Sequence, residues 1–156
     1  MLVWRVCARA YAEEAFSGKG AAREGGRWNP PGLAVVYTSE SLSLAALEFF
    51  AGLQMEDLAL ALVSIRAEIP DGLKVHTLEA KDLPAEWRAY PAPASVQRLG
   101  TEWISRGESA VLSAPSTVIV VERNYLLNPR HSEFRRIVIQ KPEPFELDPR
   151  MWKRRR

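Results

Sequence analysis

Apolar and polar positions change period several times along the chain, and the changes mark its elements. Leu2–Cys7 is apolar except at Arg5 and reads as a strand. Tyr11–Arg27 is rich in glycine and alanine and reads as irregular chain with room for one helical turn. Gly25-Gly26 and Asn29-Pro30-Pro31-Gly32 are strong turn signals around Arg27 and Trp28. Ala34–Thr38 is a short β-branched strand. Ser39 or Ser41 then caps a helix whose body is Leu42–Leu53. Leu58–Ile69 alternates poorly but is rich in Leu, Val and Ile, the pattern of a buried strand. Lys74–Leu78 is a further strand. Ser95–Arg106 spaces Val96, Leu99, Trp103 and Ile104 for one face of an amphipathic helix. Ala110–Ser113 and Ser116–Glu122 read as short strands split by Pro115, and Arg135–Gln140 as a last core strand. Helices and strands mix without a βαβ rhythm, which predicts an α+β fold.

Composition narrows the picture. Apolar residues make up 47% of the 156 and charged residues 26%, enough for one core and ordinary for a globular protein. We expect a single domain over 1–150 and a basic tail over 151–156. The net charge of +2 is too small to argue for nucleic acid, and Lys153, Arg154, Arg155 and Arg156 carry part of it in a solvated end. Cys7 is the sole cysteine, so no intramolecular disulfide forms, and its apolar setting suggests a buried thiol. The longest apolar stretch, Leu42 to Leu53, falls short of the roughly 18–20 residues that cross a bilayer. With no signal-like N-terminus, no membrane association and a cytoplasmic location are the expectation.

Three places carry possible chemistry. Glu48 is the only charge in Leu42–Leu53, and its helical neighbours Leu44, Ala45, Ala51 and Gly52 are small or apolar. An unpaired carboxylate there would be costly. It either pairs with a remote arginine, reaches water at a helix rim, or lines a pocket where its environment serves chemistry. The turn around Arg27 either is an ordinary exposed hairpin or holds a guanidinium fork for phosphate or carboxylate. It matches neither a P-loop nor a G-x-G-x-x-G dinucleotide turn. Ser116 and Asn124 follow apolar runs, where they either make turns or bond a ligand. His76 and His131 stand in no ligand-spaced motif, so no metal is expected.

These segments together resemble the RES domain family, named for an arginine, a glutamate and a serine. The matching motifs are Trp4-Arg5-Val6, Gly25-Gly26-Arg27-Trp28-Asn29, Val35-Val36-Tyr37-Thr38-Ser39, Leu44-Ala45-Ala46-Leu47-Glu48, Pro115-Ser116 and Asn124-Tyr125-Leu126-Leu127-Asn128-Pro129-Arg130-His131. They run in family order over nearly the whole chain. The chain departs from the pattern after Glu48, where many relatives carry a histidine, and at Ala114 and Val120 near the serine. The resemblance implies a mixed sheet flanked by helices, like the ADP-ribosyltransferase fold. It implies a toxin of a type II toxin–antitoxin pair that degrades NAD by phosphorolysis or hydrolysis, or transfers ADP-ribose to a protein. NAD is then a substrate rather than a cofactor, and inorganic phosphate a possible co-substrate. The partner would be an Xre-like helix-turn-helix antitoxin, through which any DNA contact would run.

In that setting Arg27, Tyr37 and Glu48 are the expected catalytic trio, with Arg5, Ser116 and Asn124 binding substrate. Arg27 and Arg5 would anchor phosphates. Tyr37 would offer nicotinamide an aromatic platform, and Glu48 would stabilise positive charge on the ribose as its bond breaks. A competing class is a binding module for RNA or protein, in which Trp28, Tyr37 and Trp103 stack bases and Lys153–Arg156 meets phosphates.

Overall fold

The computed structural model describes residues 1–53 and 60–151. Its centre is one sheet in the order β4-β5-β6-β2-β1-β3-β7, with β8 also paired to β3. The strands are β1 (Leu2–Ala8), β2 (Val36–Ser39), β3 (Leu62–Glu68), β4 (Val75–Thr77), β5 (Val111–Pro115), β6 (Arg123–Leu127), β7 (Val138–Ile139) and β8 (Glu143–Phe145). Only β4 and β5 pair in parallel, so the sheet is mixed and the fold is α+β, as expected. β1 matches β3 along its whole length, from Leu2 opposite Glu68 to Ala8 opposite Leu62. It meets β2 at one position, Trp4 opposite Ser39. That thin seam joins the two halves of the sheet.

Among the described residues three α-helices flank it: α1 (Lys19–Glu24), α2 (Leu42–Ala51) and α3 (Ala94–Arg106). Ser41 Oγ accepts the Leu44 amide at 3.1 Å and starts α2. The helix packs on β1 and β2 and buries Leu44 and Ala45, with Ala45 against the side of β1 that carries Trp4 and Val6. Its other apolar positions from Ala46 to Phe50 are half-buried, so the helix is not enclosed all round as its composition suggests. α3 buries Val96, Gly100 and Trp103, with Leu99 and Ile104 beside them, in a cluster with Trp28, Trp87, Leu112 and Leu126. The opposite face of the sheet forms the larger core, with Val3, Cys7, Val36, Ile65, Val111 and Leu127. No described helix is long and apolar enough to cross a membrane.

Four expectations change. Ser116–Glu122 is not a strand but the loop of the β5–β6 hairpin, because Pro115 pairs with Arg123 and the chain must reverse between them. Its β-branched residues argued for a strand, yet closure overrode that preference. Asn124 consequently lies inside β6 rather than in a turn. Arg135–Gln140 splits into a 3-10 turn, Ser132–Arg136, and an exposed two-residue edge strand, with Ile137 alone buried. Tyr11–Arg27 is more ordered than its composition implies, with a 3-10 helix over Arg9–Glu14 and then α1. The start of the expected strand at 58–59 and the tail at 152–156 lie outside the described residues.

Candidate active site

Glu48 comes off the half-buried part of α2 toward the sheet. Its Oε1 accepts hydrogen bonds from Ser116 Oγ at 2.7 Å and Asn124 Nδ2 at 2.5 Å. Asn124 is held in turn: it sits opposite Ser39 in the β2–β6 ladder, and Ser39 Oγ donates to its Oδ1 at 2.7 Å. Ser116 is fully buried, and its Oγ also accepts the amides of Val118 and Ile119, both at 3.0 Å. A hydroxyl offers one donor and two acceptor sites, so Ser116 is saturated. In this arrangement Ser116 orients Glu48 and closes the hairpin loop. Of the alternatives for Glu48, the ion pair is not the one adopted among the described residues; two neutral donors hold the carboxylate.

The Arg27 turn is packed, not free. Trp28 and Asn29 are buried, which corrects the view of an exposed hairpin. Asn29 Nδ2 donates to the carbonyls of Ala21, Pro30 and Leu33, while its Oδ1 accepts from Tyr37 Oη at 2.6 Å. Tyr37 Oη accepts the Trp28 amide at 3.0 Å. Gly26 lies directly against the Tyr37 hydroxyl, where a Cβ would come within 2.5 Å. Burial pushes the Tyr37 phenol well above its ordinary range, so it is a neutral donor at physiological pH. Its hydroxyl thus serves the turn, and the half-buried ring is what it can present to a ligand.

Arg27 Nη1 donates to the carbonyls of Trp87 at 2.7 Å and Ala89 at 3.0 Å. Burial lowers the guanidinium's proton affinity, and the negative charge of Glu48 partly offsets this. Hydrogen bonds thus tie Tyr37 to the turn that carries Arg27, and the charge of Glu48 acts on that arginine.

Arg5 stands apart. Along β1 it shares the parity of Val3 and Cys7, which pack in the core away from α2. Its Nη1 donates to the Tyr37 carbonyl at 2.8 Å, supporting the seam where β1 and β2 pair only once. Its Nε is buried without a partner. Burial lowers its proton affinity. Arg5 thus meets the site through the Tyr37 backbone, while Arg27 meets it through the loop carbonyls of Trp87 and Ala89.

Sequence patterns overlooked the groups that fix this turn. Gln97 Nε2 donates to the carbonyls of Gly26 at 3.0 Å and Asn29 at 3.3 Å. Gly100 abuts the Trp28 carbonyl so closely that any Cβ would overlap its oxygen. The signal for both was present: a glycine on the apolar stripe between Val96 and Trp103 marks a close approach. Among the described residues no cluster of His, Cys, Asp and Glu is arranged to hold a metal.

Comparison with known proteins joins here. The RES domain model matches residues 2–148. The chain is 38% identical over 152 residues to a protein named Toxin Res from Yersinia enterocolitica, covering 97% of this chain and 99% of that one. It is 36% identical over 152 residues to the Prs ADP-ribosylating toxin of Sphingobium sp., covering 95% and 94%. A chain of the M. tuberculosis MbcT–MbcA toxin–antitoxin complex has a similar fold, with a TM-score of 0.75 at 17% identity, covering 93% of this chain and 84% of that chain. The chain belongs to the RES domain family, the family of those Res toxins.

Proposed function

We propose that this chain is the toxin of a toxin–antitoxin pair and that it breaks the nicotinamide–ribose bond of NAD at the Glu48 site. The observation that carries the reading is the Glu48 carboxylate, fixed on Oε1 by Ser116 and Asn124. Neutral donors orient the carboxylate without cancelling its charge. It can then face the positive charge that grows at the ribose C1′ as the bond to nicotinamide lengthens. The bonding pair leaves with nicotinamide, which departs neutral, and an acceptor takes the ADP-ribosyl carbon. Arg27 holds phosphate and the Tyr37 ring supports nicotinamide. Asn124 and Ser116 set the carboxylate.

Hydrolysis, phosphorolysis and ADP-ribosyl transfer to a protein all break this same bond; the acceptor alone differs. Free phosphate or water is our preferred acceptor. Transfer to protein is the second reading, favoured by the name of the Sphingobium relative, an ADP-ribosylating toxin. The RNA-binding class is weakened, because Trp28 and Trp103 are buried and leave Tyr37 alone of its three stacking residues. We assign the antitoxin role to an Xre-like helix-turn-helix protein; the MbcT–MbcA likeness supports an antitoxin partner of some kind.

The test is product analysis of NAD incubated with the purified, antitoxin-free protein. Nicotinamide should appear, with the second product set by water, added phosphate or added protein. NAD left intact under all three conditions contradicts the reading.

A further inference from the structure

The segment that holds Arg27 carries a second guanidinium. Trp87 is buried in the cluster with Trp28 and Trp103, so it anchors the segment in the core. Two tight turns shape it, with the Trp87 amide on the Pro84 carbonyl at 2.9 Å and the Ala89 amide on the Glu86 carbonyl at 2.8 Å. Glu86 Oε1 accepts from Ser95 Oγ at 2.9 Å, which ties it to the start of α3. The carbonyls of Trp87 and Ala89 receive Arg27, and between them stands Arg88, exposed. Its Nη2 donates to the Thr117 carbonyl at 3.0 Å, one residue beyond Ser116. One anchored loop thus touches both the Arg27 turn and the Ser116 loop.

We propose that Arg88 is a second cationic contact for a phosphate group at this site, beside Arg27. Arg27 spends Nη1 on the loop carbonyls, and Arg5 is committed to the Tyr37 carbonyl. A guanidinium has five N–H donors, and Arg88 uses one on Thr117, which aims the group and leaves a fork for phosphate oxygens. Among the described residues neither Arg27 nor Arg88 makes an ion pair. Both guanidinia engage one loop without a salt-bridge partner among the described residues, and cations held on one loop favour an anion nearby. The loop is held by its buried tryptophan before any ligand arrives, so little ordering remains for binding to supply. The phosphate comes either from the dinucleotide's pyrophosphate or from inorganic phosphate acting as acceptor; that choice rests on the NAD reading.

Calorimetric titration separates these sources. The protein carries Glu48→Gln so that NAD is consumed about 10²–10³ times more slowly, with Arg88 intact, Arg88→Ala or Arg88→Lys. The probes are NAD, inorganic phosphate and nicotinamide riboside, which has no phosphate. Arg88→Ala should weaken NAD about tenfold if the pyrophosphate is held, or inorganic phosphate alone if the acceptor is held. Lysine should restore part of the loss, and added salt should shrink it. Nicotinamide riboside should bind all three alike. Unchanged affinity for both phosphate-bearing probes, equal loss for nicotinamide riboside, or no phosphate-probe binding with Arg88 intact overturns the proposal. Arg88-dependent binding in a chain whose parent leaves NAD intact would sink the NAD reading and keep the phosphate site.

Discussion

Two turns flank Glu48, and they are built by opposite means. The Gly25–Gly32 turn is set into the core: Trp28 and Asn29 are buried, Tyr37 clasps it from the sheet, and Gln97 and Gly100 seat it against α3. The Ser116–Glu122 loop is closed by one buried hydroxyl and a few backbone bonds, and its tip residue Val121 is 92% exposed. The first is held by packing, shared with the whole fold, together with hydrogen bonds from Asn29, Tyr37 and Gln97. The second is held by polar contacts, which act locally. Damage to the first should therefore spread, and damage to the second should stay where it is made.

Gly100→Ala tests the packed turn hardest. The added methyl overlaps a backbone carbonyl, so α3 or the turn must move. A loss of about 1–3 kcal/mol is expected, together with displacement of Arg27 and loss of NAD turnover. Thermal denaturation beside nicotinamide release reads both; unchanged stability would mean that the helix and turn are not in contact as described.

Ser116→Ala comes next. It leaves two amides without their acceptor and frees Glu48 from one donor, costing about 1–2 kcal/mol. Hydrogen exchange should speed up at Val118 and Ile119 and stay unchanged in the Arg27 turn. Faster exchange in both turns would erase the distinction.

Alkaline pH bears on the packed side. Burial raises the Cys7 thiol above its ordinary 9.0 and the Tyr37 phenol above its ordinary 10.0. The folded chain keeps protons that the unfolded chain releases, so the associated stability is intact below about pH 9 and falls as pH rises through that range. Cys7→Ala should remove the earlier part of the fall and leave the part that Tyr37 carries. Identical pH profiles of stability for the two proteins would contradict this. The smallest effect belongs to the exposed tip: Val121→Ser should shift stability by no more than about 0.5 kcal/mol, measured by denaturant unfolding.

Much of this site could be read from local pattern. Ser41 as a cap, Glu48 as the lone charge on an apolar helix and the stripe of α3 are all local signals, and each stands in the structure. The partners of Glu48 are 68 and 76 residues further along the chain, and no local period reports them. The Ser116–Glu122 run misled because β-branched residues also suit a loop when a hydroxyl and a hairpin dictate it. Arg5 entered through the resemblance alone, and no local pattern reports its bond to the Tyr37 carbonyl at the seam where β1 and β2 pair once.

The central claim is that the charge on Glu48, not its shape, does the chemistry. Gln at this position keeps an oxygen able to accept from both Ser116 and Asn124, so the network can survive the change. Nicotinamide release from NAD by the parental and Glu48→Gln proteins, with matched thermal midpoints, tests this directly. A fall of about 10²–10³ in rate is expected. A variant that releases nicotinamide at the parental rate would contradict it.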